Sequence, residues 1–162
     1  MKKLKLICLA LVTVCLMASC HKPAGNANVY SSTVSVNATD WYWDNTSWRV
    51  DIDYDAIDFN VTNYGAVLVY MNYQNTWRQI PLTLYYSVIE NQQTIYCSYT
   101  FEVSYYNGGL TIFQTDNDFY NQHEPGDQIF KIVALSSVEY NSRPDVDYSN
   151  YEAVKTAFQL ND

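Results

Sequence analysis

Asp51, Asp53 and Asp55 place a carboxylate at every second position, and a hard cation such as calcium asks for several oxygen ligands of this kind. The spacing argues against that use. On an extended chain these carboxylates stand about 7 Å apart along one face, too far to close around one ion. The EF-hand pattern also fails, because its glycine position holds Ala56 and its twelfth position holds Thr62. Asp116 and Asp118 add only two carboxylates on a loop, so no metal ligands are assigned. His123, in "QHEPG", is the only histidine besides His21. A zinc-protease helix needs a second histidine four residues on, where this chain has Asp127, and Pro125 disfavours a helix there. Cys97 could pair with His123 as a nucleophile, but its register puts it on a core face, where a thiol behaves as a small apolar group.

Other catalytic patterns are missing as well. The chain has no Gly-x-Ser-x-Gly elbow and no phosphate-binding glycine loop. Nothing singles out two of its seventeen acids for glycoside cleavage. The expectation is a protein that is not an enzyme and carries no cofactor.

The remaining candidate is aromatic. Residues 40–48, "DWYWDNTSW", hold three of the four tryptophans. One reading makes Trp41, Tyr42 and Trp43 a platform that stacks on a sugar beside Asp and Asn hydrogen-bonding groups. The other makes the segment a hairpin, with Trp43 and Trp48 facing each other across the turn formers at 44–47. Such a cross-strand pair is worth about 0.2 to 1 kcal/mol. In a strand Trp41 and Trp43 share one face and Tyr42 the other. If the tryptophan face is core, only Tyr42 is left for a ligand.

The N-terminus carries a different kind of site. Lys2, Lys3 and Lys5 precede an apolar run over residues 6–17, followed by Ala18, Ser19 and Cys20. This is a secretory signal, too short to remain as a membrane-spanning helix. Small residues directly before a cysteine resemble the lipobox of bacterial lipoproteins. That resemblance implies that residues 1–19 are removed and that Cys20 becomes the first mature residue, acylated with chains such as palmitate. Each buried methylene contributes about 0.8 kcal/mol, so several chains anchor stably. No Asp follows Cys20, which implies the outer membrane, on either side. Residues 20–29 form the lipidated cysteine and a small, polar tether.

Loss of residues 1–19 leaves Cys97 as the one cysteine without lipid, so the fold must stand without an intramolecular disulfide. Six Lys and Arg then face seventeen Asp and Glu, a formal net charge of −11. So acidic a chain is not expected to bind nucleic acid, which needs clustered cations. The expected partners are the membrane, through Cys20, and a protein or glycan.

Period-two patterning organises residues 30–135. Val34 and Val36 alternate with polar neighbours, and Trp48, Val50, Ile52 and Tyr54 alternate with Arg49 and the three aspartates. Trp48 is thereby placed in the core. Residues 56–65 lose the alternation and read as a short helical or looped crossover. Residues 66–71 are continuously apolar, which predicts a strand covered on both faces. Over 94–106 the odd positions, Ile95 to Tyr105, are the predicted core face. Asn107, Gly108 and Gly109 are the strongest hairpin signal. Tyr151, Val154 and Phe158 fall at helical spacing, predicting a helix over 150–160 capped by Ser149.

The stretches "GAVLVYMNYQNTWRQIP" (65–81), "FKIVAL" (130–135) and "VDYSNYEAVKTAF" (146–158) resemble a group of small lipoproteins and secreted domains of Gram-negative bacteria. In that group a Gly-x-Val-x-Val-Tyr strand precedes a Trp-x-x-Leu-Pro element, and an Asp-aromatic-Ser/Asp-x-Tyr helix ends the chain. Ile80 stands where the group has leucine. The resemblance spans most of residues 30–160 and implies fold and lipidation, with no catalytic residue. The expectation is all-β: one domain over 30–162, an antiparallel β-sandwich of about seven to nine strands with one C-terminal α-helix.

Overall fold

The computed structural model describes residues 28–117 and 123–161. The signal segment, Cys20, most of the tether and Asp118 lie outside the described residues. Two antiparallel sheets face each other. One has the order β1 (Val29–Val36), β9 (Gln128–Leu135), β4 (Ala66–Tyr73), β5 (Thr76–Gln79). The other runs β2 (Tyr42–Trp43), β3 (Trp48–Asp53), β8 (Gly109–Asp116), β7 (Gln93–Tyr106), β6 (Leu82–Glu90). Three helices complete the described chain: α1 (Phe59–Tyr64), α2 (Ser137–Ser142) and α3 (Tyr151–Phe158). The chain is the expected all-β sandwich with a C-terminal helix.

Side-chain parity divides the apolar residues between two cores. Val67, Val69 and Met71 of β4, with Phe130, Ile132 and Ala134 of β9, point between the sheets and meet Phe101, Leu110 and Ile112. Leu68, Tyr70, Val133 and Leu135 point the other way, where Tyr151, Val154 and Phe158 of α3 cover them. This is why residues 66–71 show no alternation: both faces are buried. Each such side chain contributes about 1.5 to 3 kcal/mol through burial. Tyr70 also donates its hydroxyl to the Tyr148 carbonyl at 2.6 Å, tying the approach to α3 onto the sheet. Lys131 shares this layer, its ammonium 5.5 Å from both the Trp77 and the Tyr151 ring centroids, an arrangement that favours a cation over aromatic faces.

The turns follow their residue types. Gln74 and Asn75 join β4 to β5, and Asn91 and Gln92 join β6 to β7, all four with positive φ. Two positive-φ residues match the right-handed twist of the strands they connect. The β7–β8 turn at Asn107–Gly108 differs, with Gly108 alone at positive φ, 96°, a conformation that glycine adopts without strain. Gly65 is needed for a different reason: a Cβ there would run into the Leu135 carbonyl oxygen of the neighbouring strand.

Three local expectations are corrected. Asn150, not Ser149, caps α3, its side-chain oxygen accepting from the Glu152 and Ala153 N–H groups. Ser149 instead donates its hydroxyl to Asp147 at 2.6 Å. Along β7 the odd face is core only in its middle: Cys97 and Phe101 are buried, while Ile95 and Tyr105 are exposed. The strand outreaches its neighbours, with β6 pairing only from Gln93 to Phe101 and β8 only from Tyr99 to Tyr106. Each end therefore lacks sheet on one side. Trp48 is half-buried, packed against the edge of the core rather than within it.

Candidate ligand-binding face

Residues 40–48 resolve into a hairpin with one tryptophan withdrawn from it. After β1, a tight 3₁₀ turn at Ala38–Asp40 redirects the chain, held by the Asp40 carboxylate accepting from the Asn37 N–H at 2.7 Å. Trp41 leaves that turn directly into the core, 5% exposed, with ring centroids 6.0 Å from Phe101 and 6.4 Å from Phe130. Trp43 pairs with Trp48 across the strands at 5.8 Å, as a hairpin requires. Of the three platform candidates, Trp41 is buried away from any ligand and Trp43 is half-buried against its partner. Tyr42 alone presents an open ring.

Tyr42 is also engaged. Its hydroxyl donates to Asp51 at 2.6 Å, and Arg49 lies over its ring at 5.4 Å and over Phe113 at 5.5 Å. Arg49 pairs with Asp51 at 3.1 Å and Asp44 at 3.6 Å. Asp51 further accepts from the Thr111 hydroxyl at 2.5 Å. The Thr111 hydroxyl, then that of Tyr42, holds the Asp51 carboxyl below its usual range. The same bond to Asp51 pushes the Tyr42 phenol up. At the turn, Asp44 accepts from the Thr46 hydroxyl at 2.7 Å and from the Thr46 and Ser47 N–H groups. The hydroxyl leads in lowering its pKa to about 2. These contacts stitch β2, β3 and β8 together, although the buried Arg49 Nε finds no hydrogen-bond partner. Asp51 spends its oxygens on protein donors, and among the described residues no three His, Cys, Asp or Glu side chains gather to hold a metal.

His123 and Cys97 both lie beside Tyr86. The imidazole stacks on Tyr99 at 4.9 Å and 13°, and lies 5.1 Å from Tyr86. Its backbone N–H donates to Asp116 at 2.9 Å, and Gln114 donates to its carbonyl. Cys97 is 3% exposed, beneath Tyr86 across the strand pair. Burial, followed by the Asp116 carboxylate, raises the Tyr86 phenol. The arrangement fastens the chain before β9 to the sheet.

A more open surface lies on β6 and β7. The residues that point away from the core there are Thr83, Tyr85, Ser87 and Ile89, with Tyr96, Ser98, Thr100 and Glu102 alongside. Tyr85 and Tyr96 are 83% and 81% exposed. Register pairs Tyr85 with Ser98 and Ser87 with Tyr96, so the two rings sit diagonally, within mutual reach of one ligand. Ser98, Thr100, Glu102, Thr115 and Asn117 line a shallow depression beside them.

No family model, curated protein or solved structure matches this chain.

The chemistry on this face is stacking plus hydrogen bonding. Rings flanked by hydroxyls, a carboxylate and a carboxamide suit a ligand with both an apolar face and many hydroxyls. Sequence reading passed over Tyr85 and Tyr96. The available signal was parity: each is a large aromatic at a position whose neighbours two residues away are polar.

Proposed function

We propose that the chain is a lipid-anchored envelope protein, held at the outer membrane by Cys20, whose domain is a non-catalytic binding module. On this reading it belongs with the small Gram-negative lipoproteins and secreted domains that its motifs resemble. The basic, apolar and Ala-Ser-Cys series supports the anchor. Cys20→Ser should abolish acyl labelling and release the protein from membranes; unchanged labelling in that variant contradicts the anchor.

The single observation that carries the binding role is the exposure of Tyr85 and Tyr96 side by side on an open sheet face. Stability does not require large rings there, since an uncovered sheet face needs only polar side chains, and these two are the most exposed rings among the described residues. The same observation favours a glycan as the ligand. A pyranose has an apolar face for the rings and hydroxyls for Ser87, Ser98, Thr100 and Glu102. The acidic charge of the domain favours a neutral polysaccharide over an anionic one. A glycan array probed with residues 20–162 tests this: binding to a neutral glycan, lost in Tyr85→Ala or Tyr96→Ala, is expected. A blank array, or binding indifferent to both changes, contradicts it and leaves a protein partner or a structural role.

A further inference from the structure

We infer that the end of the sandwich built from α1 and α2 lies against the lipid surface to which Cys20 tethers the chain; this rests on the anchor reading. The observations concern where the described chain begins and what surrounds that point. Ser136, just before α2, donates its N–H to the Asn28 carbonyl at 3.0 Å. The chain therefore enters the domain beside α2. Asn28, Asp58, Asn60 and Val61 share one pocket wall with Ser136 and Val138, which places α1 at the same entry point.

Around it stand three apolar side chains that neither core uses. Phe59 is 61% exposed, Tyr64 64% and Val138 68%, with the Phe59 and Tyr64 rings packed edge to face at 6.4 Å. Single exposed apolar residues are ordinary, but a cluster on two adjoining short helices is not explained by the fold. Aromatic side chains with one wet and one apolar side favour the boundary between headgroups and hydrocarbon.

The tether length selects the occupant. Seven residues, 21–27, separate Cys20 from Asn28, and the eight steps from one to the other span at most about 28 Å when fully extended. β1 then runs its eight residues away from this end, carrying the chain about 26 Å farther at roughly 3.3 Å per residue. The α1–α2 end is thus held within easy reach of the bilayer, whereas the far turns could touch it only by drawing the tether taut. Charge sets the lipid preference. Residues 54–64 and 136–142 contain no Lys or Arg, while Asp55 and Asp58 are exposed. The contact is therefore one of rings and Val138 with zwitterionic lipid, and anionic lipid should weaken it.

Hydrogen exchange read by mass spectrometry tests this contact. The mature chain, residues 20–162, is coupled through its Cys20 thiol to a maleimide-bearing lipid in phosphatidylcholine vesicles and compared with the same chain capped and free. Buried Cys97 leaves Cys20 as the reacting thiol. Several-fold slower exchange in α1 and α2, with the turns at 44–47, 74–75 and 91–92 unchanged, is the expected result. The triple variant Phe59→Ser, Tyr64→Ser, Val138→Ser should keep the melting temperature, because all three side chains are exposed, and lose the protection. Unchanged exchange in α1 and α2, or protection confined to the far turns, overturns the contact. Mass analysis of Cys20 from cell membranes separates the two ideas: an unmodified Cys20 overturns the anchor, and an acylated Cys20 with unprotected helices overturns the contact alone.

Discussion

The two outer faces of the sandwich are built from the same kind of strand and meet opposite fates. On the four-stranded sheet, Leu68, Tyr70, Val133 and Leu135 are sealed beneath Tyr151, Val154 and Phe158 of α3. On the five-stranded sheet, the outward positions hold Asp51, Thr100, Glu102 and the exposed rings of Tyr85 and Tyr96, and among the described residues no helix covers them. A covered face must be apolar at both parities, so β4 and β9 lose their alternation. An uncovered face needs only polar residues. Large rings on it exceed what folding requires, and the proposed binding role rests on that excess.

Breaking the covered face should have the largest effect. Tyr151 is 1% exposed and packs on Tyr70 at 5.3 Å and Trp77 at 5.7 Å. Tyr151→Ala should cost about 3 to 5 kcal/mol in a denaturant titration, the usual range for truncating a core aromatic. A loss no greater than that of an exposed residue would mean that α3 does not seal the sheet. A smaller effect is expected at the start of the same helix. Asn150→Ala removes the cap and should cost about 1 kcal/mol, whereas Ser149→Ala should cost less, which the same titration would show.

The open face carries its own pH signature at the Asp44 turn. The folded state lowers the Asp44 carboxyl from 3.8 to about 2, chiefly through the Thr46 hydroxyl. A lowered folded pKa means that the contribution is complete above the ordinary carboxylate range and drains away as pH falls from about 4 to about 2. Melting temperature followed against pH should therefore fall more steeply in that window for the wild type than for Asp44→Asn. Parallel curves would show that the turn does not hold the carboxylate in this way.

Much of this architecture was legible because burial dictates periodicity. The unbroken apolar run at 66–71, the alternation through Val50 and Ile52, and the Asn107–Gly108 turn each reflect one local constraint, and each element formed as expected. Trp41 was not legible. Its place in the core depends on the 3₁₀ turn at Ala38–Asp40, which lifts it out of strand parity, and three residues carry no periodic signal. α2 is likewise too short to announce itself. Ser149 and Asn150 are both good caps, and the choice fell to Asn150 because Asp147 already engages the Ser149 hydroxyl. The Arg49 network depends on Phe113 and Thr111, which only sheet pairing brings beside it. Tyr85 and Tyr96 became a pair through register, which depends on where the β6–β7 turn falls.

The smallest expected change in stability belongs to the most direct test. The double variant Tyr85→Ala, Tyr96→Ala removes the two most exposed rings, so its unfolding free energy should lie within about 0.5 kcal/mol per site of the wild type. Its binding isotherm for the neutral glycan captured by the wild type should be flat, while Trp43→Ala, on the hairpin, should retain affinity if it folds. A double variant that binds as the wild type does, or a wild type that captures no glycan, would contradict the assignment of the open face to glycan binding.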